Sequence, residues 1–328
     1  MDSFLFALNA VAPIVLMVAI GYLLKKFGFM RAEFSKAANK LVFRVFLPAM
    51  LFLNVYKIED ISSIDFGFML YGAGGLVVVF LLAIPAVCMA TKIPERRGVL
   101  VQAAFRSNYA LIGLPLAGSL FGEEGEAVAT LLSAAVIPML NILAVISLSI
   151  FKQGADKPSV KKILLGIVKN PLIQSIVLGV AALGIRALFV RYGISFRLAN
   201  VTPVYTVLGY LSNIATPLAL LVLGAQFEFS AVKALWREIV FGTIARTVIV
   251  PILALGIAYF VFGSHFSGAH FAAFVAVFAT PVAVSSVPMA QEMGSDAALA
   301  GQLVVWTAIG STVSIFLASF LLRLAGVF

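Results

Sequence analysis

A chain of 328 residues that is 62% hydrophobic and only 11% charged is no ordinary soluble domain, where about a quarter of residues carry charge. Its long unbroken apolar runs exclude a membrane β-barrel, whose short strands alternate, and leave an all-α polytopic membrane protein. The net charge of +9 would suit nucleic acid, but the basic residues gather at the ends of apolar runs, where positive-inside topology accounts for them.

Ten spans are predicted, at roughly 4–24, 38–55, 66–90, 98–121, 126–151, 163–188, 203–225, 238–262, 270–293 and 297–322. The first is not a cleaved leader: Asp2 and no basic residue precede it, and no small-residue cleavage site follows. Fifteen of the 23 Lys and Arg fall in loops 1–2, 3–4, 5–6 and 7–8, and five fall on the other side. This bias places the odd-numbered loops in the cytoplasm and both termini outside.

Five spans followed by five necessarily invert the second half. Weak internal matches suggest a duplication. Pro13-Ile14-Val15 reaches Gly21 as Pro171-Leu172-Ile173 reaches Gly179, and Leu47-Pro48-Ala49 answers Thr216-Pro217-Leu218. The expected organisation is a first five-helix repeat at 1–151, a short cytoplasmic linker at 152–162 and an inverted repeat at 163–328, the pattern of secondary transporters.

Spans 4 and 9 carry residues that a membrane helix avoids. One stretch runs from Phe105 through Arg106, Ser107, Asn108, Tyr109 and Gly113 to Pro115 and Leu116. The other runs from Ala279 through Thr280, Pro281, Ser285, Ser286 and Pro288 to Ala290. A proline inside a helix removes a donor and frees the carbonyl four residues back, so breaks are expected at Pro115, Pro281 and Pro288, with free carbonyls at Leu111, Val277 and Val284. Irregular backbone at membrane depth must be buried in protein or line a wet cavity. These two stretches are therefore the candidate substrate site. Asn108 is its strongest polar side chain, with helix–helix hydrogen bonding as the alternative role. Ser107, Thr280, Ser285 and Ser286 either cap the half-helices or bond back to their own helix. On this view Pro115→Ala closes the helix and abolishes transport.

Arg44, Arg106 and Arg246 lie inside spans, about 10 Å deep at 1.5 Å per residue. They either snorkel to the headgroups or form a positive inner vestibule for anions. Arg44 and Asn213 each precede a proline by four residues, Pro48 and Pro217, which makes these four pseudo-symmetric cavity candidates. Gly72, Gly74 and Gly75 suit close helix packing. No carboxylate sits near the middle of a span, which argues against a carboxylate-based proton antiporter. The lone Cys88, and His265 and His270 in a predicted loop, make no metal set. With no HExxH, P-loop, GxSxG or Cys–His pattern, neither an enzyme nor a cofactor is expected.

The stretches Asn39-Lys40-Leu41-Val42-Phe43 to Phe46-Leu47-Pro48, Arg106-Ser107-Asn108-Tyr109 to Gly113-Leu114-Pro115-Leu116, Asn170-Pro171-Leu172-Ile173, Thr216-Pro217-Leu218-Ala219-Leu220 with Gly224, and Thr280-Pro281-Val282-Ala283 to Met289-Ala290 resemble the auxin efflux carrier family, which includes the plant PIN-FORMED proteins. The resemblance implies ten helices in two inverted repeats, as in NhaA and the bile acid:sodium symporters, with helices 4 and 9 crossing beside the substrate. It implies a scaffold of helices 1, 2, 6 and 7, a family asparagine at the position of Asn108, and an organic anion of the auxin or malate/malonate kind. The long loop of the canal-type plant members is missing, which favours a bacterial inner-membrane protein. The partners expected are that anion, the lipid bilayer and a second copy through the scaffold helices, with no nucleic acid. A sodium-coupled carrier using the freed carbonyls, and a membrane receptor or channel-like protein, are the rival functions.

Overall fold

A computed structural model of the chain describes residues 2–57, 66–151 and 165–328. The linker expected at 152–162, with Lys152, Lys157, Lys161 and Lys162, lies outside the described residues. The described chain is helical throughout: α1 (Asp2–Lys26), α2 (Ala32–Tyr56), α3 (Phe66–Ala90), α4 (Pro94–Phe105), α5 (Tyr109–Ile150), α6 (Pro171–Arg191), α7 (Thr202–Gln226), α8 (Phe229–Phe262), α9 (Gly268–Phe278), α10 (Ser286–Glu292) and α11 (Ala297–Leu324). Among the described residues seven of these are long and apolar enough to cross a membrane, namely α2, α3, α5, α6, α7, α8 and α11. This is the architecture of a polytopic helical membrane protein.

Prolines start several helices where their missing N–H costs nothing. Pro94 opens α4, and Pro171 opens α6 behind Asn170, whose side chain accepts the Leu172 N–H at 2.9 Å. Three prolines within helical runs are absorbed in another way. Pro48, Pro115 and Pro251 each follow a five-residue π turn, at Val42–Phe46, Tyr109–Gly113 and Ala245–Ile249. The wider turn takes in an extra residue, and the chain continues as α-helix through the proline.

The boundary expected between spans 4 and 5 falls inside α5. Phe121 and Gly122 leave helical geometry there, with Gly122 at φ 64°, a conformation glycine adopts without steric cost. The chain folds back on itself at this point. A side chain at Gly125 would strike the Ala117 carbonyl, and one at Gly118 would stand 3.2 Å from Glu126 Oε2. Residues eight apart in a straight helix are about 12 Å apart.

α1 packs along α7, and α2 along α6. Both contacts use a glycine against backbone, the small-residue packing favoured between membrane helices. A side chain at Gly21 of α1 would collide with the Leu221 carbonyl of α7, and one at Gly179 of α6 would stand 3.1 Å from the Phe52 carbonyl of α2. The buried centre of the bundle is made by the short helices. Every residue from Phe271 to Phe278 of α9 and from Gly98 to Phe105 of α4 is buried, as all-round apolar sequence requires. α3, α6 and α8 instead expose Leu70, Leu82, Val177, Leu178, Ile252 and Phe260, an outer apolar coat suited to hydrocarbon.

Candidate functional site

The two anomalous stretches meet. Between α4 and α5 the chain is non-helical at Arg106, Ser107 and Asn108, and between α9 and α10 at Ala279–Ser285. The two segments cross as an isolated antiparallel bridge, Ser107 opposite Val282. Asn108 N–H donates to the Pro281 carbonyl at 2.8 Å, and Ala283 N–H to the Arg106 carbonyl at 3.3 Å. The Val282 N–H finds Thr307 Oγ1 of α11 at 3.1 Å. Each broken helix thus lends the other the backbone partners that hydrocarbon cannot supply.

The first break is not at Pro115, as expected from the sequence, but at residues 106–108. Pro115 lies past the π turn in continuous helix, and its side chain is exposed. Pro281 does sit in the crossing. Pro288 falls within the first turn of α10, where a proline is tolerated. Tyr109 and Gly113 hold the framework: the buried Tyr109 hydroxyl donates to the Ala129 carbonyl at 2.6 Å, and a side chain at Gly113 would stand 3.0 Å from the Ala276 carbonyl of α9.

Thr280 bonds back to its own helix instead of capping a half-helix, its hydroxyl donating to Ala276 O at 2.8 Å. Ser285 and Ser286 make no cap. Both accept from Arg106 instead, at 2.8 Å to Nη2 and 3.4 Å to Nη1. The same guanidinium reaches Asn141 Oδ1 of α5 at 2.8 Å and the sulfur of Met289. Arg106 is 2% exposed, and every one of these acceptors is neutral. Ser107 Oγ and Asn108 Nδ2 are buried beside it with no hydrogen-bond partner, a condition that costs about 1–3 kcal/mol per group.

Arg246, in the π turn of α8, is likewise fully buried. Its Nε donates to Thr280 O at 2.8 Å, Nη2 to Val277 O at 2.8 Å, and Nη1 to Ala104 O and Phe105 O, both at 3.3 Å. It therefore caps the carbonyl ends of α4 and α9 together. Neither arginine snorkels, and Arg246 lines no open vestibule. Arg44 is exposed on the π turn of α2. α10 packs against that turn and against α7, so α2 and α7, which carry Arg44, Pro48, Asn213 and Pro217, flank the crossing. Asn213 and Pro217 themselves face outward.

Asn141 and Thr307 escaped notice in the sequence. They lie in regular stretches of helix, and the available signal was a mid-span polar residue on α5 and α11. On the far side of the crossing a cavity of about 830 Å³ opens between α3 and α8, floored by Ala104 and Phe278. It is apolar apart from His265 and Tyr71, whose hydroxyl donates to the Ala254 carbonyl. His270 ends as a helix cap, its Nδ1 accepting the Ser267 N–H at 3.1 Å.

In the first turn of α4, Arg96 pairs with Glu238 at 2.8 Å and Asp296 at 3.2 Å. Partial burial disfavours its charge, but the two carboxylates outweigh this and hold its pKa above the ordinary arginine value. The network ties the start of α4 to α8 and to the start of α11.

Two crossing half-helices inside an apolar helical bundle are an arrangement found in membrane transporters. The chain belongs to a family described as membrane transport protein, whose model matches residues 6–319, and which comprises the auxin efflux carrier-like transporters rather than enzymes. It is similar to an uncharacterised transporter of Methanothermobacter thermautotrophicus, 26% identical over 328 aligned positions that cover 95% of this chain and 97% of that one. It is also similar to an uncharacterised transporter of Methanocaldococcus jannaschii, 28% identical over 236 positions covering 69% of this chain and 70% of that one.

Proposed function

We propose that this transporter is a secondary carrier of small organic carboxylates, auxin-like or malate/malonate-like, that binds them at the crossing and moves them by alternating access. The observation that carries the proposal is that Arg106 and Asn108 stand two residues apart in one buried non-helical segment. One is a buried guanidinium that meets only neutral acceptors, and the other offers an amide N–H₂ that meets nothing. A buried cation without a counter-charge is expensive, and a carboxylate supplies both the charge and the acceptor. The first turn of α5, directly after Asn108, adds N–H groups that no intrahelical carbonyl serves, and an anion there is favoured by the helix dipole. Ala110 and Leu111 in that turn are exposed, which gives a side from which the crossing can be approached. Arg106 and Asn108 are themselves covered, so the substrate reaches them when neighbouring helices separate.

The proposal includes ten spans in two inverted repeats, 1–151 and 163–328, with both termini outside the inner membrane. Exchanged packing of α1 on α7 and α6 on α2, each through a glycine, supports the inversion, because a two-fold axis in the membrane plane maps one contact onto the other. Helices α1, α2, α6 and α7 form the scaffold and its homodimer surface, and the crossing belongs to the moving part. The sodium-coupled alternative loses two of its three carbonyls: Val277 O is taken by Arg246, and Val284 O accepts the Val287 N–H at 3.2 Å.

The test is equilibrium binding of malonate, malate and indole-3-acetate to purified protein, followed by counterflow in proteoliposomes. At least one carboxylate should bind, compete with the others and exchange across the membrane. A protein that binds none of them, or conducts without exchange, overturns the proposal.

A further inference from the structure

We infer that Arg246 is a resident cation that fills the place where a coupling ion would sit, so that the carrier works without an alkali cation. The inference rests on reading the crossing as the transport site, and it concerns what drives that site instead of what the site carries.

Four carbonyl oxygens converge on this side chain, from the last turns of α4 and α9 and from Thr280 in the crossing itself. Both helices point their negative dipole ends here. Unwound carbonyls and half-helix C-termini are the groups that hold Na⁺ in broken-helix carriers. In this chain the guanidinium already occupies them, with two contacts at 2.8 Å and two at 3.3 Å. It cannot leave with the substrate, because it is bonded to the chain, and it cannot lose its proton in the physiological range. Among the described residues it makes no ion pair, so no carboxylate competes with the carbonyls for its charge.

Its placement has a mechanical consequence as well. The π turn Ala245–Ile249 carries Arg246 from α8 into the crossing, and the four hydrogen bonds join α8 to both half-helices. α8 therefore moves with the crossing as one body. A diffusible cation would break that connection on each release.

The consequence is testable without any substrate, which keeps it separable from the carboxylate proposal. Full-length protein is melted in choline chloride and in LiCl, NaCl and KCl at one ionic strength. Wild type should melt at the same temperature in all four salts. Arg246→Ala should melt lower in choline and recover in at least one alkali salt, as the emptied carbonyl cluster takes up a cation. At a hundredfold excess over the dissociation constant the recovery should be about 4 °C. Arg246→Lys keeps a tethered charge and should remain indifferent to the salt. A rise in the wild-type melting temperature specific to one alkali cation overturns the inference. So does an Arg246→Ala protein that is destabilised yet blind to all three cations. If Arg246→Ala does not fold, the wild-type and Arg246→Lys melts decide alone: indifference in both supports a resident cation, and a cation-specific shift in either contradicts it.

Discussion

Arg106 and Arg246 flank the same crossing, carry the same charge and are buried to nearly the same degree, yet their surroundings differ in kind. Arg246 meets the carbonyl ends of two helices, where partial negative charge already gathers. Arg106 meets two hydroxyls, an amide oxygen and a sulfur, next to an amide and a hydroxyl that have no partner at all. On the proposed reading the difference separates the framework of the crossing from its site: a saturated buried charge holds the half-helices together, whereas an under-saturated one in a segment with orphan polar groups awaits a substrate anion.

The comparison breaks most visibly through stability. Arg246→Leu strands four carbonyls and should cost about 3 kcal/mol or more, read in choline chloride as a large fall in melting temperature and yield. A small fall would mean that the carbonyls find other partners and that Arg246 is no keystone.

The second effect has the opposite signature. Asn108→Ala removes an unpartnered buried amide, so unliganded stability should hold or rise slightly. Carboxylate affinity should drop by about 1–3 kcal/mol, roughly 5- to 150-fold. Melting curves with and without malonate or indole-3-acetate report both quantities. A loss of stability in the free protein would assign Asn108 to helix packing.

Arg106→Lys should fall between. The charge survives but the planar fork is lost, so affinity should weaken about tenfold while selectivity for anions persists. Equal binding of neutral amide analogues by wild-type protein would remove the role given to the charge.

The smallest effect is expected at Pro115. The proline follows a π turn inside continuous helix, nine residues past the start of the break at Arg106. Pro115→Ala should leave initial transport rates within about threefold, since the crossing's pairing does not involve it. Abolished transport would restore the proline-made break that sequence reasoning expects.

That last contrast shows where the sequence speaks and where it is silent. Charge scarcity, long apolar runs and the two anomalous stretches are local properties, and they suffice to read a polytopic helical membrane protein and to single out Arg106–Asn108 and Thr280–Ser286. Proline chemistry alone mislocates the first break. A π turn, which takes in one extra residue, accommodates Pro48, Pro115 and Pro251 alike, and nothing in the composition distinguishes a proline so accommodated from one that ends a helix. The partners of buried charges are less legible still. The sequence leaves Arg246 as either a snorkelling or a vestibule residue because its acceptors are backbone carbonyls more than 30 residues away in the chain, and carbonyls have no sequence signature. Asn141 and Thr307 reach the crossing only through the packing of α5 and α11. The Ser285 and Ser286 hydroxyls, placed correctly at a helix start, serve a side chain from the other half of the chain.

The most direct test is a single titration series of malonate and indole-3-acetate into wild type, Arg106→Gln, Asn108→Ala and Arg246→Lys at fixed ionic strength. Both variants on the Arg106 side should lose binding by about fivefold or more while remaining folded, and Arg246→Lys should bind close to wild type. Wild-type affinity in both Arg106→Gln and Asn108→Ala would contradict the assignment of the under-saturated side of the crossing as the anion site.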